Sequence, residues 1–513
     1  MTVSKIDQLE NLQTILKQFK DLDETMTHYS DMLSLAGWDQ QVKAPSKGKA
    51  YFSKVRGTLS TELFRLGTSD QMRRLLDALS QPEIQGQLDE PTKAAVREHK
   101  REYDKNKKIP ETLHKEFTIH TANARNVWEE ARKDNNFEKF RPTLERTVNF
   151  IRQYAELYGY EKHPYDALLD NYEPGLTVEQ LDGIFSTLRA KTVKLLQRIR
   201  NSSDQPRDVF EGSFDVVQQE KFNLFLLPLL GYDLDAGRLD VTAHPFACTI
   251  NVGDVRITTR YFDNDPKSSL FATIHEAGHA IYEQGVNPDY EGSVISGGVS
   301  LGIHESQSRF LENMVGRSEA FWERYLDDYK SFFPGKFDNV SLRDFYRSVN
   351  IVSPSFIRVE ADEVTYNLHV MIRYEIEKGL VDGTVEVKDL PKLWNEKMRE
   401  YLGVEPPSDS SGVLQDVHWS YGAFGYFPTY SLGNLYSAQL RNTILKQFPD
   451  FYDIIRRGEF ATIREWLREQ IHTHGSVYLP SDLIERVTGE PLNPEYLVRY
   501  LQEKYSDVYR LQD

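Results

Sequence analysis

The chain has 513 residues, 39% apolar and 12% aromatic, so a sizeable core is expected and wholesale disorder is excluded. The formal net charge of −16 argues against nucleic acid and anionic membranes as partners, because both bind cationic surfaces. The single cysteine, Cys248, excludes an intramolecular disulfide and a cysteine-ligated metal site.

Helical periodicity runs through most of the chain. Apolar residues recur at spacings of three and four over residues 5–35, and Pro45 and Gly48 end that segment. A second helical stretch is predicted over residues 59–79. Residues 90–160 are rich in charge, with apolar residues at helical intervals, which predicts long, partly solvated helices.

The sequence contains no Gly/Ser linker and no low-complexity tract. We therefore expect one unit over residues 1–513, with a soft boundary near residue 90 between an N-terminal helical layer (1–90) and a catalytic body (91–513). No apolar run approaches the roughly 20 residues of a membrane span, and the N-terminus has no export pattern, so a cytoplasmic protein is expected.

The exception to helix lies at residues 239–262, where apolar and polar residues alternate on either side of Gly253-Asp254. A two-residue loop that begins with glycine is typical of a type II′ hairpin turn, so a short sheet is predicted here. An edge strand of this sheet is suited to binding an extended peptide by backbone pairing.

Directly after the predicted sheet, the segment Phe271–Ala280 contains the pattern His275-Glu276-x-x-His279. Histidines four apart lie on one face of a helix, where two neutral imidazoles can bind one Zn²⁺. Glu276, beside them, is placed to take a proton from the zinc-bound water and to deliver it to the leaving amine. The pattern predicts a zinc-dependent hydrolase.

A catalytic zinc site needs a third protein ligand and an open position. Glu305 is the preferred candidate, because the 26 residues after His279 allow the first helix to end and a second helix to return to the metal. His304 and Glu283 remain as alternatives. Glu283 is the poorer of the two on geometric grounds, since tetrahedral ligands should converge from more than one element.

Several separated motifs together resemble the carboxypeptidase Taq family of zinc metallocarboxypeptidases. The resemblance covers nearly the whole chain, and the ordered set of motifs is highly specific. One departure is Arg309, which stands where some other Glu-ligated zinc peptidases have an aspartate. The motifs are Trp38-Asp39-Gln40, His244-Pro245-Phe246, Asp254–Thr258, His275–His279, His304–Gln307, Ile357–Asp362 and Gly412–Trp419.

The resemblance implies a mainly α fold, with a large saddle-shaped helical body, a deep cleft and a small sheet next to the zinc helix. It also implies a cytosolic homodimer, similar in fold to neurolysin-like oligopeptidases, with one Zn²⁺ per chain. Co²⁺ is a possible substitute, because sites of this ligand type accept it. The implied activity is removal of single residues from the free C-terminus of peptides, with broad tolerance and poor cleavage at proline.

An exopeptidase of this kind must recognise the terminal carboxylate, which a guanidinium does bidentately. Arg358, within one of the family motifs, is the first choice, and Arg256 on the predicted hairpin is the second. The competing interpretation of Arg358 is a buried ion pair with one of the acidic residues that follow it, Glu360, Asp362 or Glu363.

The related helical peptidases use a histidine and a tyrosine to stabilise the tetrahedral intermediate. Carried to this chain, these roles fall to His418 with Tyr430, and Tyr426 is the substitute. Asp416 is proposed to orient a zinc-ligand histidine. His244 is either a residue of the cleft floor that binds substrate or the packed end of a strand.

Two other functions stay open from the sequence. One is a zinc oligopeptidase of similar fold that cuts peptides internally, and the motif with Arg358 argues against it. The other is a non-catalytic helical protein that binds peptides. Glu276 argues against that function, because a purely structural zinc site needs no base.

Overall fold

The computed structural model describes the backbone of residues 3–512 and the side chains of residues 11–512. Residues 1, 2 and 513 of the predicted single unit lie outside the described residues. The strands are β1 (Gly237–Val241), β2 (Ala247–Asn251) and β3 (Asp254–Thr259). The helices are α1 (Val3–Val42), α2 (Lys49–Gly67), α3 (Asp70–Leu79), α4 (Pro82–Gln85), α5 (Glu90–Asn106), α6 (Glu111–Lys133), α7 (Phe137–Tyr158), α8 (Asp166–Leu169), α9 (Val178–Arg200), α10 (Val216–Leu230), α11 (Pro266–Gln284), α12 (Leu301–Arg309), α13 (Glu319–Phe332), α14 (Leu342–Val349), α15 (Tyr366–Asp382), α16 (Leu390–Leu402), α17 (Pro428–Gln447), α18 (Phe451–Arg456), α19 (Phe460–Gln470), α20 (Pro480–Thr488) and α21 (Glu495–Val508).

The mainly α fold with one small sheet is confirmed. The predicted helical stretch 59–79 is in fact two helices, because the chain leaves the α conformation at Ser69, whose side chain accepts a hydrogen bond from Met72 N and caps α3. None of the helices in the described part of the chain combines the length and apolarity that a bilayer span requires.

Two apolar cores hold the helices together. The smaller core joins α1, α3 and α5, and it includes Ile295 and Val477 from the rest of the molecule. The larger core runs from Trp128 to Tyr509 and includes Ile274 and Ala277 of α11. The buried face of α11 is therefore part of the main core, and this holds its histidine-bearing face at a defined place. The division near residue 90 stays a prediction.

The sheet has the strand order β1-β3-β2, with β3 parallel to β1 and antiparallel to β2. The predicted type II′ turn at Gly253-Asp254 is wrong. Asp254 already pairs with Asn251, so the loop is Val252-Gly253, and neither of these two residues has the positive φ that such a turn needs. The sheet lies next to α11, since the Thr259 hydroxyl donates to the Ser269 carbonyl at 3.1 Å.

Candidate active site

The helix α11 presents His275 and His279 one turn apart, with ring centroids separated by 5.0 Å. Its start is well defined, because the Asp265 carboxylate accepts from Ser268 N and Pro266 occupies the first turn. No proline interrupts the helix after its first turn. The sequence therefore places both imidazoles on one face, as the four-residue spacing predicts.

Two glycines let Glu305 of α12 reach these histidines. A Cβ on Gly278 would lie 2.5 Å from Ser308 Cα, so the backbones of α11 and α12 approach at a distance that only glycine permits. On the other side, a Cβ on Gly433 of α17 would lie 2.3 Å from Glu305 Cγ. Glu305 is therefore enclosed between two helices, and it is only 6% exposed.

The three side chains converge. Glu305 Oε2 lies 3.5 Å from His275 Nε2 and 3.4 Å from His279 Nε2. One ligand atom from each residue lies within 4.8 Å of the other two. Two imidazole nitrogens and one carboxylate oxygen form the donor set of a catalytic zinc site, so the residues present fit the metal that the sequence predicts.

The two alternative ligands, His304 and Glu283, lie behind His279 instead. His304 Nδ1 is 2.6 Å from His279 Nδ1, and its Nε2 is 2.7 Å from Glu283 Oε1. This chain of contacts orients the His279 ring so that Nε2 faces Glu305. In the structure His304 and Glu283 support a candidate ligand and are not part of the converging set.

His275 has an equivalent support that the sequence analysis missed. Its Nδ1 lies 3.0 Å from Glu312 Oε2, and Glu312 also accepts from Arg309 and Arg317. Glu312 lies in a π-helical segment, Phe310–Gly316, which directly continues α12. A π turn shifts the register by one residue relative to an α-helix, so α-helical spacing could not have predicted this contact.

Arg309 explains the departure noted in the sequence. It donates to Glu305 Oε1 at 2.7 Å, in place of the aspartate found in some other zinc peptidases. Burial raises the pKa of the Glu305 carboxyl, but Arg309 and the two histidines overcome that effect and hold the pKa well below its usual value. Glu305 is therefore ionised, as a metal ligand must be.

The two histidines have opposite electrostatic environments. Burial lowers the pKa of His275, but Glu305 and Glu312 outweigh this effect and raise it to about 10. Burial lowers the pKa of His279 to about 4, with His304 and His275 acting in the same direction. The surroundings of His275 therefore favour positive charge at its ring, and those of His279 do not.

Glu276 projects beside the cluster and is 7% exposed. Burial raises the pKa of its carboxyl to about 7, and the neighbouring carboxylates of Glu305 and Glu312 act in the same direction. A carboxyl with a pKa near neutrality is matched to accepting and returning a proton.

Arg358 is buried and lies in a network that the sequence did not predict. It donates to Asp416 from Nε at 3.2 Å and from Nη2 at 3.0 Å, while Nη1 donates to the Tyr366 hydroxyl at 3.1 Å. Its ion-pair partner is Asp416 and none of the three acidic residues near it in sequence. The proposed role of Asp416 as a support for a zinc-ligand histidine is wrong, because it binds Arg358 and Arg373.

Tyr366 connects this network to the histidine cluster. Its ring lies under the Arg309 guanidinium, with 4.4 Å between Arg309 Cζ and the ring centroid. Arg309 binds Glu305, so Tyr366 touches both the predicted carboxylate reader and the arginine that holds a predicted ligand. No spacing pattern in the sequence indicates this residue, because its two partners come from other segments of the chain.

The predicted oxyanion residues lie together. His418 Nε2 is 3.5 Å from the Tyr430 hydroxyl, and the centroids of the His418 and Tyr426 rings are 5.4 Å apart. Burial lowers the pKa of His418 to about 4, so the ring is neutral at neutral pH. The Arg358 guanidinium lies over the Tyr430 ring, 4.6 Å from its centroid, and the centroids of the Tyr430 and Tyr426 rings are 5.3 Å apart.

A buried carboxylate anchors the segment that carries these residues. Glu377 of α15 accepts hydrogen bonds from Tyr165 Oη at 2.6 Å, Trp419 Nε1 at 2.8 Å and Gly425 N at 3.0 Å. Trp419 follows His418, and Gly425 precedes Tyr426. Burial raises the pKa of Glu377 to about 7. Sequence reasoning missed this residue, because nothing in its local pattern distinguishes it from other helical glutamates.

The remaining two predicted residues belong to the sheet and its loop. Arg256 is bidentate to Asp254, at 2.7 and 2.6 Å, and its guanidinium lies over the Trp38 ring of α1. It points to the face of β3 opposite the buried Val255. His244 lies in the loop between β1 and β2 and is exposed.

Comparison with known proteins identifies relatives over almost the full length. A family model described as carboxypeptidase Taq (M32) metallopeptidase matches residues 18–505. Carboxypeptidase 1 of Bacillus subtilis is 46% identical over 501 residues, which cover 98% of this chain and 100% of that protein. Thermostable carboxypeptidase 1 of Thermus thermophilus is 42% identical, over 93% of this chain and 95% of that protein.

The fold is similar to that of solved M32 enzymes. The crystal structure of the M32 carboxypeptidase from Deinococcus radiodurans matches with a TM-score of 0.93 and 36% sequence identity. The match covers 97% of this chain and 100% of that one.

Proposed function

Because the chain belongs to the carboxypeptidase Taq (M32) metallopeptidase family, it is a metallocarboxypeptidase, and we propose that its metal is Zn²⁺, one ion per chain. His275, His279 and Glu305 would hold the ion. The observation that carries this proposal is the convergence of their three ligand atoms, with a buried Glu276 beside them. Co²⁺ is the proposed substitute metal.

When bound, the metal acidifies a water molecule and polarises the scissile carbonyl group. Glu276 accepts a proton from this water as the water attacks the carbonyl carbon, and then delivers the proton to the leaving amine. Its elevated pKa supports both roles, because a carboxyl with a pKa of about 7 gains and loses a proton readily near neutral pH.

The terminal carboxylate of the peptide is read by Arg358 in this proposal. Asp416 accepts from Nε and Nη2 and Tyr366 accepts from Nη1, which fixes the guanidinium, and the second N–H groups of Nη1 and Nη2 are the ones proposed to bind the carboxylate. Arg256 is the weaker candidate, because it contacts Asp254 and Trp38, whereas Arg358 lies 4.6 Å from the ring centroid of Tyr430, one of the proposed oxyanion residues. His244 would contact the substrate from its exposed loop.

His418 and Tyr430 stabilise the oxyanion that develops on the scissile carbonyl, and Tyr426 is the substitute for Tyr430. The mutual proximity of the three rings supports this assignment. A neutral histidine keeps one N–H for donation to an oxyanion, which agrees with the lowered pKa of His418.

The substrates proposed are peptides with a free C-terminus, cleaved one residue at a time with broad side-chain tolerance and poorly at proline. We further propose a cytoplasmic homodimer. These proposals rest on the family resemblance, and analytical ultracentrifugation of the purified chain tests the dimer directly.

Time-resolved mass spectrometry of a peptide mixture tests the reaction. We expect a ladder of single-residue losses from the C-terminus with the zinc-loaded enzyme and at least a ~10³-fold slower ladder with Glu276→Gln, because the proton acceptor is lost. Glu405→Gln, an exposed glutamate, is the control. Internal fragments would contradict the exopeptidase proposal, and an unchanged rate in Glu276→Gln would contradict the proposed base.

A further inference from the structure

Two buried arginines share one carboxylate beside the proposed oxyanion residues. Asp416 Oδ1 accepts from Arg358 at 3.2 and 3.0 Å, and Asp416 Oδ2 accepts from Arg373 Nε at 2.7 Å. Arg358 is 4% exposed, and Arg373 is fully buried. Among the described residues, no other carboxylate oxygen lies within 4.0 Å of either guanidinium. The cluster therefore has two positive charges and one negative charge, and a buried charge without a counter-charge is costly.

A second carboxylate near Arg373 does not supply the missing charge. Glu377 interacts electrostatically with Arg373, but its two oxygens already accept from Tyr165, Trp419 and Gly425. Burial raises the pKa of Glu377 to about 7, so this side chain carries only part of a negative charge at neutral pH. An anion bound at Arg358 would therefore meet an excess of positive charge.

His418 lies against this cluster. Its Nδ1 is buried without a hydrogen-bond partner among the described residues, and Asp416 Oδ1 is 3.9 Å from it. The Phe427 ring packs against the whole group, since its centroid is 4.5 Å from that of the His418 ring and 5.5 Å from Cζ of both Arg358 and Arg373. A separation of 3.9 Å is too long for a hydrogen bond, so Asp416 is held by the arginines and does not bind His418.

The charges around His418 act in opposite directions. Burial lowers its pKa to about 4, Arg358 and Arg373 act in the same direction, and Asp416 opposes them. A histidine N–H that donates to an oxyanion gains positive character on its ring, so a nearby cation weakens this donation and a nearby anion strengthens it. A carboxylate bound at Arg358 adds a negative charge here and shares the guanidinium with Asp416, which weakens the hold of Arg358 on Asp416.

We propose that the terminal carboxylate of the peptide contributes to the chemical step as well as to binding. It balances the excess positive charge of Arg358 and Arg373, and Asp416 is then able to strengthen the stabilisation of the oxyanion by His418. Asp416 is in this proposal a positioning residue that couples recognition of the C-terminus to catalysis. The inference rests on the proposed function, in which Arg358 reads the carboxylate and His418 contacts the oxyanion.

A matched pair of substrates tests the coupling in the zinc-loaded full chain. One is an N-terminally blocked tripeptide with a free C-terminal carboxylate, and the other is the same tripeptide as a C-terminal amide. Mass spectrometry confirms that the same peptide bond is cut, and steady-state kinetics gives kcat and KM separately. In the wild type we expect the amide to lower kcat by at least ~10-fold, in addition to raising KM. A carboxylate that serves only for binding would raise KM alone, and that result overturns the proposal.

Two variants locate the coupling. In His418→Gln and in Asp416→Asn we expect the ratio of kcat for the acid to kcat for the amide to fall to within ~2-fold of one, because the link to the oxyanion is broken. Glu405→Gln, an exposed glutamate paired with Arg399, should keep the wild-type ratio. If Asp416→Asn does not fold, the measurement with His418→Gln decides the question.

Failure of the proposed function gives a different result from failure of the coupling. A wild-type kcat of His418→Gln on the free peptide would remove His418 from the oxyanion, and the coupling would be overturned with it. A lowered kcat with the wild-type ratio of acid to amide would leave the proposed role of His418 in place. It would overturn only the coupling, because the carboxylate would then act by another route.

Discussion

The two sides of the proposed active site are built in different ways. The proposed metal side lies on two consecutive helices, α11 and α12, and its members are four residues apart or one loop apart in sequence. The proposed substrate side is assembled from a 3₁₀ turn at Arg358, the N-terminus of α15 and the segment from His418 to Tyr430. Its partners, such as Arg358 and Asp416, are 58 residues apart.

This difference separates two means of holding a side chain. On the metal side, helical periodicity and two glycine contacts set the geometry, and each histidine has one additional polar support. On the substrate side, buried charges and hydroxyl groups hold one another across separate elements, so each position depends on several distant residues. On the metal side, changing a ligand should remove that ligand's contribution and leave its neighbours in place. On the substrate side, changing one residue should displace the other side chains that it holds.

The largest effect is expected from Glu305→Gln on the metal side. The substitution keeps the shape but removes the charged oxygen that lies 3.4 Å from His279 Nε2. We expect metal content near zero after dialysis and at least a ~10³-fold loss of kcat/KM, because the several kcal/mol supplied by the ion are lost. Elemental analysis and peptide assays measure both.

Glu405→Gln is the control for that variant, because Glu405 is exposed and paired with Arg399. It should retain bound metal. If Glu305→Gln instead keeps a full complement of metal, the assignment of Glu305 as third ligand is wrong.

A smaller effect on the same side is expected from Glu312→Gln. Glu312 holds His275 through Nδ1, and supports of this kind contribute about 10–100-fold to metal affinity. We therefore expect the zinc dissociation constant to rise by ~10–100-fold in competition with a chromophoric chelator. An unchanged dissociation constant would contradict the supporting role of Glu312.

On the substrate side, Glu377→Gln should lower kcat while leaving the metal in place. The amide replaces one acceptor oxygen by a donor, so at least one of the Tyr165, Trp419 and Gly425 donors loses its acceptor, at a cost of about 1–3 kcal/mol. We expect a ~10-fold fall in kcat with unchanged metal content.

Glu375→Gln offers a matched control two residues earlier on the same helix, where the carboxylate binds Arg189 and Lys397. It should retain wild-type kcat. An equal fall of kcat in both variants would show that the effect comes from α15 as a whole. It would contradict the anchoring role of Glu377.

The same contrast explains what the sequence could predict. His275, Glu276, His279 and Glu305 follow from helical spacing and from the ligand number of zinc, and the structure brings the three candidate ligands together. Glu312 was missed because a π turn shifts the register. The Asp416 ion pairs, Tyr366 and Glu377 were missed because their partners are distant in sequence, and a single chain carries no signal for such contacts.

The smallest effect is expected from Arg256→Lys, which tests whether the carboxylate reader belongs to the substrate side at all. Arg256 is part of a partly exposed pair with Asp254 and a cation–π contact with Trp38, each worth at most about 1 kcal/mol. We expect kcat/KM within ~3-fold of the wild type.

Arg358→Lys, which loses the bidentate fork, should raise KM by at least ~10-fold at an unchanged metal content. Steady-state kinetics with an N-terminally blocked dipeptide measures both effects. If Arg256→Lys has the larger effect, Arg256 on the sheet binds the terminal carboxylate and Arg358 does not.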